Sequence, residues 1–187
     1  MLNQLPPDLP VPVDDGATDH LPGIQLPSVP LQATDGTAVD LADLSGRTVV
    51  FIYPKTGRPG QPVPPEWDAI PGARGCTTQA CNFRDLHQEL ITLGVARVFG
   101  LSTQTTEYQR EAVERLHLPF SLLSDAKLDF AGALRLPTFE FDGETLLCRL
   151  TLVIDGGTVR KHFYPVFPPD QSAAQVSAWL TSQKVRL

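Results

Sequence analysis

At 187 residues with 42% hydrophobic side chains, the chain has the size of one domain whose core needs neither disulfides nor metal to hold it. A formal net charge of −6 without any basic run excludes a nucleic-acid surface and leaves small-molecule or protein partners. No stretch approaches a membrane span, the N-terminus lacks a basic leader, and three cysteines do not make a secreted disulfide framework. The expectation is a cytoplasmic protein that engages no membrane.

Proline marks the irregular parts: seven of the 18 lie in residues 1–30 and six in residues 54–71. Residues 1–20 are expected to form an extended arm before a single domain at 21–187, because proline cannot join a helix and barely joins a sheet. Leu26 to Leu31 and Thr37 to Leu41 read as short strands around the Asp35-Gly36 turn. Thr48 to Tyr53 is a buried strand by its β-branched and aromatic content. Lys55 to Gly75 is rich in proline, with Trp67 its only large aromatic; a connection of that length is functional or mobile where it occurs. Cys76 to Leu93 reads as a helix presenting Phe83, Leu86, Leu90 and Leu93 on one face, closed by Gly94.

Then come a strand at Val95 to Leu101, a helix at Thr105 to Leu116, a strand at Phe120 to Leu123 and a helix at Lys127 to Leu134. Thr138 to Phe141 and Leu146 to Ile154 read as strands. The second turns through Asp155-Gly156-Gly157 into Val159 to Tyr164, and Ser172 to Val185 is a final helix. This order predicts a three-layer α/β fold, a mixed central sheet with helices on both faces. Ligands bind such sheets beyond the carboxyl ends of the strands, where Thr48 to Tyr53 delivers Cys76.

Cys76 and Cys81 carry most of the functional information. A helix start has backbone N–H groups without intrahelical partners and a dipole favouring negative charge, so a thiolate is the form stabilised at Cys76. Five residues along an ideal helix separate two Cα atoms by roughly 8.7 Å. A disulfide needs less than about 7 Å, so bridging this pair requires the helix start to unwind. Packing of Cys81 as a small apolar residue fits the spacing equally well. Zinc does not fit: the pair lacks CxxC spacing, and His20, His87, His117 and His162 are scattered.

Thr48-Val49-Val50-Phe51-Ile52-Tyr53-Pro54-Lys55, then Gly75-Cys76-Thr77-Thr78-Gln79-Ala80-Cys81-Asn82-Phe83-Arg84-Asp85, then Arg149-Leu150-Thr151-Leu152-Val153-Ile154-Asp155 resemble, in order, three stretches of the peroxiredoxins. The subgroup they resemble is the bacterioferritin-comigratory-protein, or peroxiredoxin Q, type. The resemblance implies a thioredoxin-like fold and reduction of hydrogen peroxide and organic hydroperoxides without a metal or organic cofactor. It also implies recycling by a thioredoxin-type reductant and action as a monomer or weak dimer. By the same resemblance Cys76 is the peroxidatic cysteine, Cys81 the resolving cysteine, and Arg149 the active-site arginine, a group that stays charged and offers several donors.

The sequence departs from the family pattern Pro-x-x-x-Thr/Ser-x-x-Cys. Ala73 and Ala69 occupy the hydroxyl and proline places counted back from Cys76. Counted from the strand, Pro54 is in register and Arg58 takes the hydroxyl's place. Thr56 is the only hydroxyl side chain between Pro54 and Gly75, so Thr56 or a backbone N–H is expected to substitute, with an insertion at about 56–74 folded over the pocket. Thr77 and Thr78 read as first-turn residues, Arg84 and Asp85 as a structural ion pair, and Cys148 as core packing on the face opposite Arg149. Two other readings fit the cysteine pair: a thiol-disulfide oxidoreductase or redox sensor, and a non-catalytic thioredoxin-fold binding protein.

Overall fold

A computed structural model of the chain describes residues 5–184. Its elements in order are β1 (Pro30–Ala33), β2 (Ala38–Asp40), β3 (Arg47–Ile52), α1 (Pro65–Asp68), α2 (Cys76–Asp85), α3 (His87–Thr92), β4 (Val95–Ser102) and α4 (Thr106–Leu116). There follow β5 (Leu122–Ser124), α5 (Asp129–Leu134), β6 (Thr138–Phe141), β7 (Glu144–Leu147), β8 (Leu150–Asp155), β9 (Thr158–Phe163) and α6 (Ser172–Lys184), which is preceded by a 3₁₀ turn at Pro169–Gln171. Val185, the expected end of α6, lies outside the described residues, as do residues 1–4 of the arm.

Seven strands form one mixed sheet in the order β2-β1-β5-β4-β3-β8-β9, with β3·β4 and β4·β5 parallel and the other pairings antiparallel. β3 is buried on both faces, which explains its nearly unbroken apolar run. Its alternate residues Val49, Phe51 and Tyr53 enter one core with α2, α3, α4 and α6. Val50 and Ile52 enter the other, with α5 and the arm-end residues Leu21 and Leu26. This is the expected three-layer architecture, a thioredoxin-like fold. Phe51 stacks on Phe83 of α2 with ring centroids 4.5 Å apart and the rings 9° from parallel, which seats the cysteine-bearing helix on the sheet.

Three expectations change. The helix from Cys76 is two helices that bend at Leu86 (φ −95°, ψ 5°), α2 packing on α6 and α3 on β4. The run Leu146 to Ile154 is not one strand. β7 pairs with β6 in a separate hairpin while β8 joins the main sheet, because strand geometry breaks at Cys148 and Arg149; Leu146 packs with Trp67, whereas Leu147, Leu150, Leu152 and Ile154 enter the α5-side core. The Lys55 to Gly75 connection is ordered around α1, whose Trp67 is 6% exposed and packs edge-on against Phe141 at 4.9 Å. The arm is anchored as well: His20 Nε2 lies 2.8 Å from the Leu134 carbonyl, and Thr18 and Leu21 are buried.

Candidate active site

α2 begins at Cys76, and the residue before it, Gly75, has φ +101°. Only glycine fits there. A Cβ would stand 2.3 Å from Pro169 Cγ and 2.9 Å from Leu5 Cδ2, so the turn that aims Cys76 is packed between the arm and the 3₁₀ segment. The first bond of the helix runs from the Gln79 N–H to the Gly75 carbonyl at 2.9 Å, leaving the amides of the first turn free to face an anion. Cys76 is 4% exposed and Cys81 5%, and both are free thiols in one apolar core.

Arg149 reaches the thiol from the break between β7 and β8. Its Nη2 donates to Cys76 Sγ at 3.2 Å and to the Ala73 and Arg74 carbonyls, each at 3.1 Å. Its Nε donates to the Gly72 carbonyl at 3.2 Å, and its Nη1 donates to Gln79 Oε1. Each of the three guanidinium nitrogens thus has a partner, in a residue only 3% exposed. Gln79 is fully buried, and its amide passes the chain on to Ser172 Oγ at 3.1 Å, which lies 3.1 Å from Thr151 Oγ1. No motif in the sequence marks Gln79 as a site residue. The signal was positional, since residue 79 lies one helical turn from Cys76 on the same side.

Cys76 opens into a cavity of about 120 Å³ whose lining includes Lys55, Arg58, Arg74 and Arg115 and no carboxylate, in a chain of net charge −6. The Lys55 ammonium is paired with Glu144 at 2.5 Å, Arg74 with Asp68 at 3.1 Å and Arg115 with Glu111 at 2.6 Å. The Arg58 guanidinium stands 4.1 Å above the Tyr108 ring. Gly57, Arg58, Gln61 and Val63, from the Lys55 to Gly75 connection, form one wall.

Thr56 does not reach this cavity. Its hydroxyl donates to Gln104 Oε1 at 3.2 Å, its N–H donates to the same oxygen at 3.0 Å, and its carbonyl accepts from Gln104 Nε2 and the Tyr108 hydroxyl. The expected substitution for the family hydroxyl is corrected accordingly: the Thr56 oxygen is committed elsewhere. At the hydroxyl's place the Ala73 methyl is buried with Trp67 and Leu146, and the Ala73 carbonyl lies 3.6 Å from Cys76 Sγ.

Arg84 is tied to Asp85 at 2.8 Å and to the Leu116 carbonyl at 2.8 Å, fixing α2 to the end of α4 as the ion-pair reading expects. Cys148 is not core. It is half-buried beneath the arm, sharing a cavity of about 50 Å³ with Pro12, Phe139, Tyr164 and Arg149, because β7 ends at Leu147 and strand alternation stops there. Burial pushes its thiol up to about 11, so it is protonated at neutral pH. Burial also raises the pKa of the Tyr53 phenol, which is fully enclosed in the core on the α2 side of the sheet. Among the described residues no three His, Cys, Asp or Glu side chains cluster as metal ligands, and no helix is long and apolar enough to cross a membrane.

Cys76 is thus a buried thiol at a helix start, held against Arg149 at the carboxyl end of a thioredoxin-like sheet. A redoxin family profile matches residues 19–178, and the chain belongs to that family. Within it the chain groups with peroxiredoxins of the bacterioferritin-comigratory-protein or Q type. It is 30% identical over 161 residues to peroxiredoxin Bcp of Escherichia coli, covering 82% of this chain and 91% of that one. It is 33% identical over 143 residues to chloroplastic peroxiredoxin Q of Oryza sativa subsp. japonica, covering 76% of this chain and 58% of the relative's length. The crystal structure of peroxidoxin BcpB from Mycobacterium tuberculosis superimposes with a TM-score of 0.70 at 27% identity, over 87% of this chain and 98% of that one.

Proposed function

We propose that the protein is a thiol-dependent peroxidase in which Cys76 attacks the peroxide, Arg149 positions thiolate and substrate, and Cys81 resolves the product. The observation that carries this reading is the 3.2 Å contact between Arg149 Nη2 and Cys76 Sγ at a helix start. The Cys76 thiolate displaces the distal oxygen of a hydroperoxide, forming the S–O bond of a sulfenic acid as the O–O bond breaks. Negative charge develops on the departing oxygen, which faces the guanidinium and the free amides of the α2 start and takes a proton from solvent to leave as water or an alcohol. Thr56 has no part in this chemistry.

Condensation of the Cys76 sulfenic acid with the Cys81 thiol yields an intramolecular disulfide and water. The first turn of α2 must open for this. Opening severs Gln79 from Arg149 and from Ser172, while the bond from the Ala173 N–H to Asn82 Oδ1 at 2.7 Å holds the next turn in place. A thioredoxin-type dithiol then restores both thiols by exchange. This is the atypical two-cysteine cycle of a monomer or weak dimer, set in the reducing cytoplasm. A cavity of about 120 Å³ above a thiol 4% exposed suits a small peroxide rather than the sulfur of a partner protein.

Mass spectrometry after one equivalent of hydrogen peroxide is expected to link Cys76 to Cys81, and Cys81→Ser to leave a Cys76 sulfenic acid. Full peroxide consumption by Cys76→Ser, with thioredoxin and its reductase present, would refute the reading.

A further inference from the structure

The buried side chains behind Arg149 form a closed circuit. Arg149 Nη1 donates to Gln79 Oε1, Gln79 Nε2 donates to Ser172 Oγ at 3.1 Å, and Ser172 Oγ lies 3.1 Å from Thr151 Oγ1. Thr151 follows Arg149 two residues along the chain, so the backbone completes the ring. All four residues are at most 3% exposed, which leaves no solvent to replace a missing link. We propose, on the basis of the peroxidase reading, that Ser172 is a positioning residue for both steps at Cys76. Through Gln79 it holds Arg149 against the thiol during peroxide attack, and it restrains the opening of α2 that disulfide formation requires.

Three observations support this role. Ser172 itself has helical backbone (φ −59°, ψ −50°), so its hydroxyl is not an N-cap, the usual reason for serine at a helix start. The oxygen is committed inward instead, where Thr151 meets it from β8. Next, the Gln79 amide has one group for each neighbour. Its Oε1 must face the guanidinium, which only donates, and its Nε2 must then face an acceptor. Ser172 Oγ supplies that acceptor whichever hydroxyl donates between it and Thr151. Without it Nε2 is a buried donor lacking a partner, and rotation of the amide to recover one takes Oε1 away from Nη1. Finally, the start of α6 grips α2 at two heights. Ser172 holds the first turn through Gln79, whereas the Ala173 N–H donates to Asn82 Oδ1 at 2.7 Å, about one turn further on. Opening the first turn breaks the Ser172 link and spares the Asn82 link, so Ser172 stabilises the wound state alone. Its loss therefore acts on the two steps in opposite directions: attack slows because Arg149 is held less firmly, and resolution quickens because the wound state is weakened.

Rapid-quench mass spectrometry with hydrogen peroxide separates second-order formation of the Cys76 sulfenic acid from its first-order conversion to the Cys76–Cys81 disulfide. In Ser172→Ala the first constant is expected to fall about fivefold to tenfold. This is less than the ~10²–10³ that follows outright loss of a donor, because the Gly72, Ala73 and Arg74 carbonyls still hold Arg149. The second constant is expected to rise about threefold to tenfold, the range set by the net contribution of one hydrogen bond. In a Gln79→Met background Ser172→Ala is expected to change neither, there being no amide to hold. Sulfenic-acid formation within twofold of wild type in Ser172→Ala overturns the proposal. So does slowing of both steps, or an undiminished effect in the Gln79→Met background, either of which marks a merely structural serine. An active wild type whose Cys76 does not link to Cys81 overturns the role in opening, and the first step then decides the role in attack. A wild type that forms no sulfenic acid defeats the peroxidase reading and the proposal with it, whereas an active wild type with an unresponsive Ser172→Ala defeats the proposal alone.

Discussion

Replacing Arg149 by lysine keeps the positive charge and removes the fork, and the structure sets the size of the effect. The guanidinium serves five acceptors: the Gly72, Ala73 and Arg74 carbonyls, Gln79 Oε1 and Cys76 Sγ. An ammonium has about three donors converging on one point, so at least two of these acceptors lose their partner. At ~1–3 kcal/mol for each buried acceptor left unpaired, Arg149→Lys should destabilise the fold by ~2–6 kcal/mol. No allowance for solvent screening is needed at a side chain 3% exposed. The kinetic effect is larger than charge alone suggests. Misplacing one preorganised donor at a reacting centre costs a factor of ~10²–10³, so the second-order rate constant with hydrogen peroxide should fall about a hundredfold. Stopped-flow peroxide reduction measures the rate, and urea unfolding the stability. A variant within threefold of wild type in rate, with unchanged stability, would show that position 149 needs only a charge.

Thr56→Val should leave the second-order rate with hydrogen peroxide within about twofold of wild type while costing ~1 kcal/mol of stability, since the lost hydroxyl bonds Gln104 and not the thiol; a tenfold rate loss contradicts this. Gly75→Ala should destabilise by ~2–5 kcal/mol, combining strain at φ +101° with a Cβ placed 2.3 Å from Pro169 Cγ, as read by urea unfolding. An unchanged unfolding midpoint would mean the turn is not confined as described. Burial lowers the pKa values of His87 and His162 below the ordinary imidazole range, so the native state binds their protons less readily than the unfolded chain. Their contribution is complete above about pH 6.5 and is lost as pH falls from there through the lowered native values. The urea midpoint should therefore drop between roughly pH 7 and 5, and His87→Gln should flatten part of that slope; an identical slope in the variant would remove His87 from the account.

How much of the site was legible in the sequence depends on the range over which each residue finds its partner. Gly75 before Cys76 reads directly as a turn into a helix, because left-handed backbone is a local property of glycine. The same holds for β3, whose β-branched and aromatic run marks a buried strand wherever it lies in the sheet. Arg149 could be named as a site residue, yet reading Leu146 to Ile154 as one strand concealed how it arrives. An apolar run does not disclose that Leu146 packs on Trp67 while Leu147, Leu150, Leu152 and Ile154 enter the α5-side core. Thr56 shows the opposite failure. It was the only hydroxyl available near Pro54 in sequence, but a polar side chain goes to the partner that satisfies it, and that partner is Gln104, 48 residues further on.

By itself, then, the sequence determined the α/β alternation, the helix opening at Cys76 and a second thiol too far along that helix to bond without unwinding. Each follows from backbone preferences and side-chain period, which act within a few residues. Only the tertiary structure decided that Gln79 joins Arg149 to Ser172, that Ala73 offers a carbonyl where a hydroxyl was expected, and that the Lys55 to Gly75 connection walls the cavity above the thiol. These depend on which buried polar groups meet across distant segments and on where packing leaves space, and neither is encoded in a local pattern.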